Sequence, residues 1–417
     1  MGRRVIVVWW LAALLAIPAS AADDDLKDAL QFSVDPYFSV ETGADFTFST
    51  LSLVARGENW TFGHLEGRPA VGRPVRAVWT LLFDMPVAWW FGVFLHEAYG
   101  HGGRAREFGS SSSFHMGSPW ERRSSYATFD PDGLSTDDLL RVFTGGSEGN
   151  GFAATQLERQ MAGGRAMRPL EHLYVTASRY VTTAYVLRTT PDPATDPAGF
   201  WREWNGGGDV AHYLGYSHLR FTGETGITPT GVAPEIEKNF ERLERYATWN
   251  ALDPGAWLSL FTAWRSVIRG DRTSRLPLPR LAGRRFLPIF GSDWMPRGAT
   301  ASLELVFGEP VDGWSQEQAR WFSFVVRGGE GYDGTVGALG AATERLARVG
   351  RFRLGGEFEI WDRPGGDLGG GFRVRWTVAR GSLRGLFFDV GAKTAGHWPG
   401  RPAEAGPIVR LGGRFAL

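Results

Sequence analysis

The last third of the chain alternates. In residues 351–361, Phe352, Leu354, Phe358 and Ile360 share one parity against Arg351, Arg353, Glu357 and Glu359. In residues 372–380, Phe372, Val374, Trp376 and Val378 oppose Arg373, Arg375 and Thr377, and near the end Val409, Leu411, Phe415 and Leu417 oppose Arg410 and Arg414. A period of two is a strand read from sequence, with one apolar and one polar face. Residues 301–307 alternate as well, 385–393 more loosely, and 320–327 and 335–344 read as further strands. The last connections are long (362–371), tight (Gly381-Ser382) and long (394–406), which predicts an antiparallel meander. Such strands fit either a sandwich, with the apolar set inside, or a membrane barrel, with the apolar set turned out to lipid. Strands near ten residues, aromatic apolar faces and a second face of mixed Arg, Glu, Asp and Lys favour the barrel. This region resembles a bacterial outer-membrane β-barrel, though Phe415-Ala416-Leu417 lacks the terminal aromatic common there.

Upstream the grammar is helical. Residues 75–107 predict one long helix whose 78–95 section is nearly all apolar, with Pro86 kinking or restarting it and Asp84 as N-cap. A buried core helix and a lipid-facing segment both fit that composition. Helices are also expected at 136–143 (capped by Ser135), 152–161, 167–187, 234–250 and 254–268, with the glycine run 145–151 as a break. Tyr37-Phe38-Ser39-Val40 and Trp60-Thr61-Phe62 read as N-terminal strands. The fold class is therefore α+β: an antiparallel barrel-like meander of about eight or more strands, mostly C-terminal, with a large mainly helical insertion. The expected divisions are a signal peptide at 1–21, strands within 22–74 that join the C-terminal sheet, a helical unit at 75–280, and the meander at 281–417.

The signal reading rests on Arg3-Arg4, a short apolar run from Val5 to Ile17, and Ala19-Ser20-Ala21 as the cleavage site, and it implies export to a bacterial outer membrane or periplasm. The whole chain carries 45 basic and 45 acidic side chains; without Arg3 and Arg4 acids exceed bases by two, so nothing points to nucleic acid as partner. No cysteine is present, which removes disulfides and thiolate ligands. Any metal must then be held by His, Asp or Glu.

The apolar helix closes on His96-Glu97-Ala98-Tyr99-Gly100-His101. Two imidazoles beside a carboxylate are the donor set of a metal hydrolase, with the histidines as ligands and Glu97 as the base that takes a proton from water. The spacing is HExxxH. Histidines five apart on a regular helix point roughly 140° apart and cannot share an ion. One π turn restores the shared face, and Gly100 is the place expected to distort. Glu148 is the expected third ligand, in the glycine run ahead of a helix, with Asn150 behind it. His172, Asp209 and His212 compete for that place, and Tyr213 or His218 could polarise a substrate carbonyl. Arg104 and Arg106 could bind a substrate carboxylate, though solvated charge is their ordinary role.

HEAYGH resembles the HExxGH motif of the dipeptidyl-peptidase III family of zinc peptidases. The resemblance covers these six residues, and that family's EExRAE-like second motif is absent. It implies His96 and His101 as zinc ligands, Glu97 as general base, and a Glu on a later helix as third ligand. The expectation is an exported, membrane-associated zinc hydrolase acting on peptide or protein substrates. The alternative is a non-catalytic outer-membrane barrel with a helical plug or gate.

Overall fold

The computed structural model describes residues 29–416 apart from 66–68, 122–124, 310–319, 333, 364–366 and 381–382. The predicted signal peptide and Leu417 lie outside the described residues. The chain opens with strand β1 (Ala29–Val34) and helix α1 (Val40–Phe62). Next come α2 (Pro69–Trp79), a π turn (Thr80–Asp84), α3 (Met85–Phe94), a second π turn (Leu95–His101) and α4 (Gly102–Glu107). A hairpin of β2 (Ser112–His115) and β3 (Tyr126–Phe129) follows. Then come α5 (Thr136–Ala162), α6 (Pro169–Ala184), a third π turn (Tyr185–Thr189), α7 (Pro197–Gly206) and α8 (Asp209–Thr222). The two-residue strands β4 (Ile227–Thr228) and β5 (Gly231–Val232) precede α9 (Pro234–Ala251) and α10 (Pro254–Arg269). The rest is β6 (Arg280–Leu281), β7 (Arg284–Met295), β8 (Gly298–Gly308), β9 (Trp321–Gly331), β10 (Gly334–Val349), β11 (Phe352–Asp362), β12 (Leu368–Arg380), β13 (Leu383–Lys393) and β14 (Gly406–Ala416).

The C-terminal strands form the expected antiparallel meander, one ten-stranded sheet in the order β1-β14-β13-β12-β11-β10-β9-β8-β7-β6. The N-terminal contribution is the single strand β1, paired with β14 from Ala29 opposite Ala416 to Val34 opposite Leu411. The sheet does not close on itself. Unpaired edge backbone is costly when buried, and here helices supply the partners. Ser49 of α1 accepts from Gln31 N–H and donates to Gln31 C=O, at 2.9 and 2.6 Å. On the far edge Asp253, between α9 and α10, accepts from Phe290 N–H at 2.7 Å, while Trp249 stacks on Phe290 with ring centroids 4.3 Å apart.

The alternation is inverted relative to a soluble sandwich. Phe324, Leu339, Phe358, Phe372, Leu386 and Leu411 stand exposed on the convex face, whereas Glu304, Glu359, Arg373, Asp389 and Arg410 are buried on the concave one. Helices fill that concavity. Glu41 of α1 pairs with Arg373 and Arg410, both at 2.7 Å, and Asp389 joins the same arginines at 2.9 and 2.8 Å. Arg159 of α5 meets Glu304 of β8 at 2.6 Å. A main apolar core lies among α1, α3, α5, α6 and α10 and reaches Leu287, Ile289 and Val306 of the sheet. A second joins α7, α8 and α9.

Three local expectations are corrected. Tyr37-Phe38-Ser39-Val40 and Trp60-Thr61-Phe62, read as strands, are not: the first is a turn that leads into a helix and the second is that helix's end, because Val40, Ala44, Phe48, Leu51 and Ala55 make one buried stripe at helical spacing. Asp84 does not cap a helix: it accepts from the Thr80 hydroxyl inside the first π turn, just ahead of Pro86. The glycine run 145–151 does not break α5, which runs through it for 27 residues. Its N-terminus is the capping box of Ser135 and Asp138.

Candidate metal centre

The π turn Leu95–His101 does what the five-residue spacing requires: the His96 and His101 rings lie 4.7 Å apart by centroid. Close packing against α5 holds the turn in place. Gly100 and Gly145 approach backbone to backbone, so that a Cβ on either would lie 2.6 Å from the other's neighbourhood. A Cβ on Gly146 would lie 2.4 Å from His96 Nε2. The glycines that read as a helix breaker are thus the seat of the histidine-bearing turn.

The third group is Asp209, the first residue of α8. Its Oδ2 lies 3.1 Å from His96 Nε2 and 3.1 Å from His101 Nε2. One donor atom from each of the three residues lies within 4.8 Å of the others, an arrangement that could hold a metal ion. Burial alone would raise the Asp209 carboxyl, but the facing imidazoles outweigh it and hold it well below the usual carboxylate range. A helix N-terminus adds favourable field for that charge.

The ring orientations fit ligation through Nε2. His101 Nδ1 donates to Val142 C=O at 2.7 Å, which turns Nε2 toward Asp209. Burial lowers that imidazole, but the Asp209 carboxylate outweighs it and raises it to about 9, so without a metal Nε2 carries a proton shared with Asp209. Asn150 faces His96 Nδ1 at 3.3 Å, and the Asn150 Oδ1 is a buried oxygen without a partner. Turned by half a rotation, that amide accepts the Nδ1 proton, satisfying the orphaned oxygen and freeing His96 Nε2 in the same way.

Glu97 is half-buried beside the cluster, and among the described residues no hydrogen bond or ion pair engages its carboxylate. Its charge acts on both His101 and Tyr185. Tyr185 opens the third π turn; its hydroxyl accepts from Asp209 N–H at 3.2 Å and its ring lies 6.4 Å from His96. Burial, followed by the Asp209 charge, keeps the phenol protonated far above its ordinary range. Tyr185 was missed in sequence, where nothing marks it out from other helical tyrosines.

Glu148 is elsewhere. Its carboxylate is paired with Arg104 and accepts from Gly400 N–H at 2.6 Å, so both oxygens are spent. Because α5 is continuous, Gly146 faces His96, and Glu148, two residues on, lies round the helix toward the sheet's connecting loop. Asp209, named only as a competitor, stands where Glu148 was expected. Tyr213 donates to Met295 C=O at 2.9 Å and stacks beside Trp294, while His212 stacks on Phe143 and bonds Gly208 C=O. His172 is fully buried against Ser274 C=O, and His218 packs near Tyr332. None of these four joins the cluster. Arg104 and Arg106 serve the fold: Arg104 also bonds Arg401 C=O, and Arg106 bonds the carbonyls of Tyr37, Phe38 and Ala98.

Comparison of the chain with family models, with curated proteins and with solved structures finds no match.

Proposed function

We propose that the protein is a zinc-dependent hydrolase of peptidase type, exported and seated in a bacterial outer membrane by the convex face of its sheet. The observation that carries the reading is the convergence of His96, His101 and Asp209 beside an unengaged Glu97. Two imidazoles, neutral once a metal displaces the proton on His101, and one carboxylate match the three-ligand set of catalytic zinc, which keeps a further position open. Bound there, zinc supplies Lewis acidity toward a carbonyl and toward water. Glu97 takes the proton of the attacking water and delivers it to the leaving amine. Tyr185, whose hydroxyl oxygen already accepts from Asp209 N–H, has its proton free to donate to the developing oxyanion. Asn150 and Val142 C=O orient the two rings.

Membrane seating is supported by the inverted sheet, with Phe, Leu, Val and Trp outward and ion pairs inward. The helix over Ala70–Glu107 agrees, since only 39% of its most apolar window is buried. Val71, Val75, Val78, Leu82, Met85 and Trp89 form one exposed stripe at helical spacing. The ion pairs that lock α1 and α5 into the concavity favour the alternative, a plugged non-catalytic barrel. Peptide-library hydrolysis by protein taken from the outer-membrane fraction separates the two. Cleavage abolished by chelation and by Glu97→Gln supports the hydrolase; cleavage unchanged in Glu97→Gln refutes it. Recovery of the protein in the soluble fraction refutes the membrane seat.

A further inference from the structure

A cavity of about 200 Å³ opens at the end of the sheet where the β7–β8 turn, the ends of β10 and β11 and the β13–β14 connection meet the first turns of α5 and the last turn of α8. None of His96, His101 or Asp209 lines it, so it is separate from the metal centre. Five arginines line it, against three acids: Asp137, Glu359 and Asp362. Each acid is already committed. Asp137 pairs with Arg220 at 2.5 Å, Asp362 with Arg297 at 3.1 Å, and Glu359 with Arg327. The remaining two, Arg141 and Arg363, are half-buried, and among the described residues their guanidiniums make no direct hydrogen bond or ion pair.

Asp137, Glu107 and Asp138 act on Arg141 only at a distance. Partly desolvated guanidiniums with no carboxylate in direct contact favour an anion that meets them. Burial, followed by the Arg104 charge, already presses the Arg141 guanidinium below its ordinary range. A third polar group is also unmet: His397 lines the same cavity and its Nε2 is buried without a partner. Burial keeps that imidazole neutral, with its pKa pushed down to about 3, so it adds hydrogen bonding without adding charge. The other walls are apolar, with Trp361 and Val336 nearly inaccessible and Met295 beside them.

We propose that this cavity binds a small organic anion, its carboxylate or phosphate group held by Arg141, Arg363 and His397 and its short apolar body against Trp361, Val336 and Met295. Guanidinium forks suit both oxyanions, and the apolar walls exclude a purely inorganic ion as the best ligand. The inference does not depend on the hydrolase reading.

The test is titration calorimetry on the full-length protein in a non-ionic detergent, with hexanoate, hexyl phosphate, inorganic phosphate and hexanol as probes. The expected result is one site per chain for hexanoate or hexyl phosphate, at least tenfold weaker binding of both inorganic phosphate and hexanol, and a loss of tenfold or more in Arg141→Gln and in Arg363→Gln. His101→Ala should leave the anion affinity unchanged, which separates this site from the metal centre. Thermal melting of each variant without ligand controls for folding. Equal binding of hexanol and hexanoate would overturn the proposal. So would binding that ignores both arginine substitutions in folded protein, or binding of none of the probes.

Discussion

Gly146→Ala should abolish metal binding while leaving the fold intact. An alanine Cβ there would lie 2.4 Å from His96 Nε2 and 2.5 Å from its Cε1, whereas ordinary contacts begin near 3.4 Å. The imidazole must therefore retreat by about 1 Å. Metal–ligand distances tolerate departures of only about 0.2 Å, so His96 ceases to be a ligand. Disturbing groups behind the ligands costs roughly 10–100-fold in metal affinity, and losing one of three ligands should cost at least about 100-fold, or about 2.7 kcal/mol. Helix α5 itself does not suffer, because Gly→Ala inside a helix contributes up to about 1 kcal/mol of stability. Gly151→Ala is the control on the same helix: its Cβ meets nothing within 4 Å, so it should bind metal normally. Competition against a chromogenic chelator gives the affinities, and far-UV circular dichroism with thermal melting reports the fold. A folded Gly146→Ala protein with wild-type metal affinity would refute the reasoning, since it would mean that His96 Nε2 is not a ligand.

Glu148→Ala should retain one metal per chain yet lose about 3 kcal/mol of stability, because the buried Arg104 keeps Glu107 but loses its main partner; chemical denaturation alongside metal analysis reads both. Tyr185→Phe should keep metal and structure while lowering the hydrolytic rate constant by about 10²-fold or more with little change in substrate affinity, which steady-state kinetics on a cleaved peptide would show. Acid should destabilise the protein through His397: its folded pKa of about 3 lies below the unfolded value, so the unfolded chain binds the extra proton and stability falls as pH drops below about 6.5. At pH 5 the loss is about 2 kcal/mol, and His397→Gln should remove that part of the slope in melts run from pH 8 to pH 5.

The meander was legible because its strands carry a period of two, and strands near ten residues with aromatic apolar faces and a mixed-charge second face favoured the inverted pattern over the sandwich without deciding it. That the sheet stays open, with its edges met by helices, was not legible. It depends on Ser49 and Asp253 reaching strand edges far away in sequence, and no local pattern encodes such contacts. Residues 37–40 and 60–62 misled because short aromatic and β-branched runs suggest strands, while the deciding influence was a helical stripe buried by tertiary packing. At the site, His96, Glu97 and His101 were legible from chemistry, and even the π turn followed from spacing and geometry. Asp209 was not singled out, because a lone acid at a helix start is favoured by the helix field whether or not it binds a metal. Glu148 misled for a related reason. Glycines read as a break are here a packing surface, and continuity of α5 turned the neighbouring acid away.

The most direct test of the central claim is elemental analysis of purified protein, wild type beside His96→Ala, His101→Ala and Asp209→Ala, each reconstituted with zinc and desalted. The account predicts one zinc per chain in wild type and a marked loss in all three variants, with melting curves that show folded protein. No zinc in wild type, or full retention in Asp209→Ala, would contradict it.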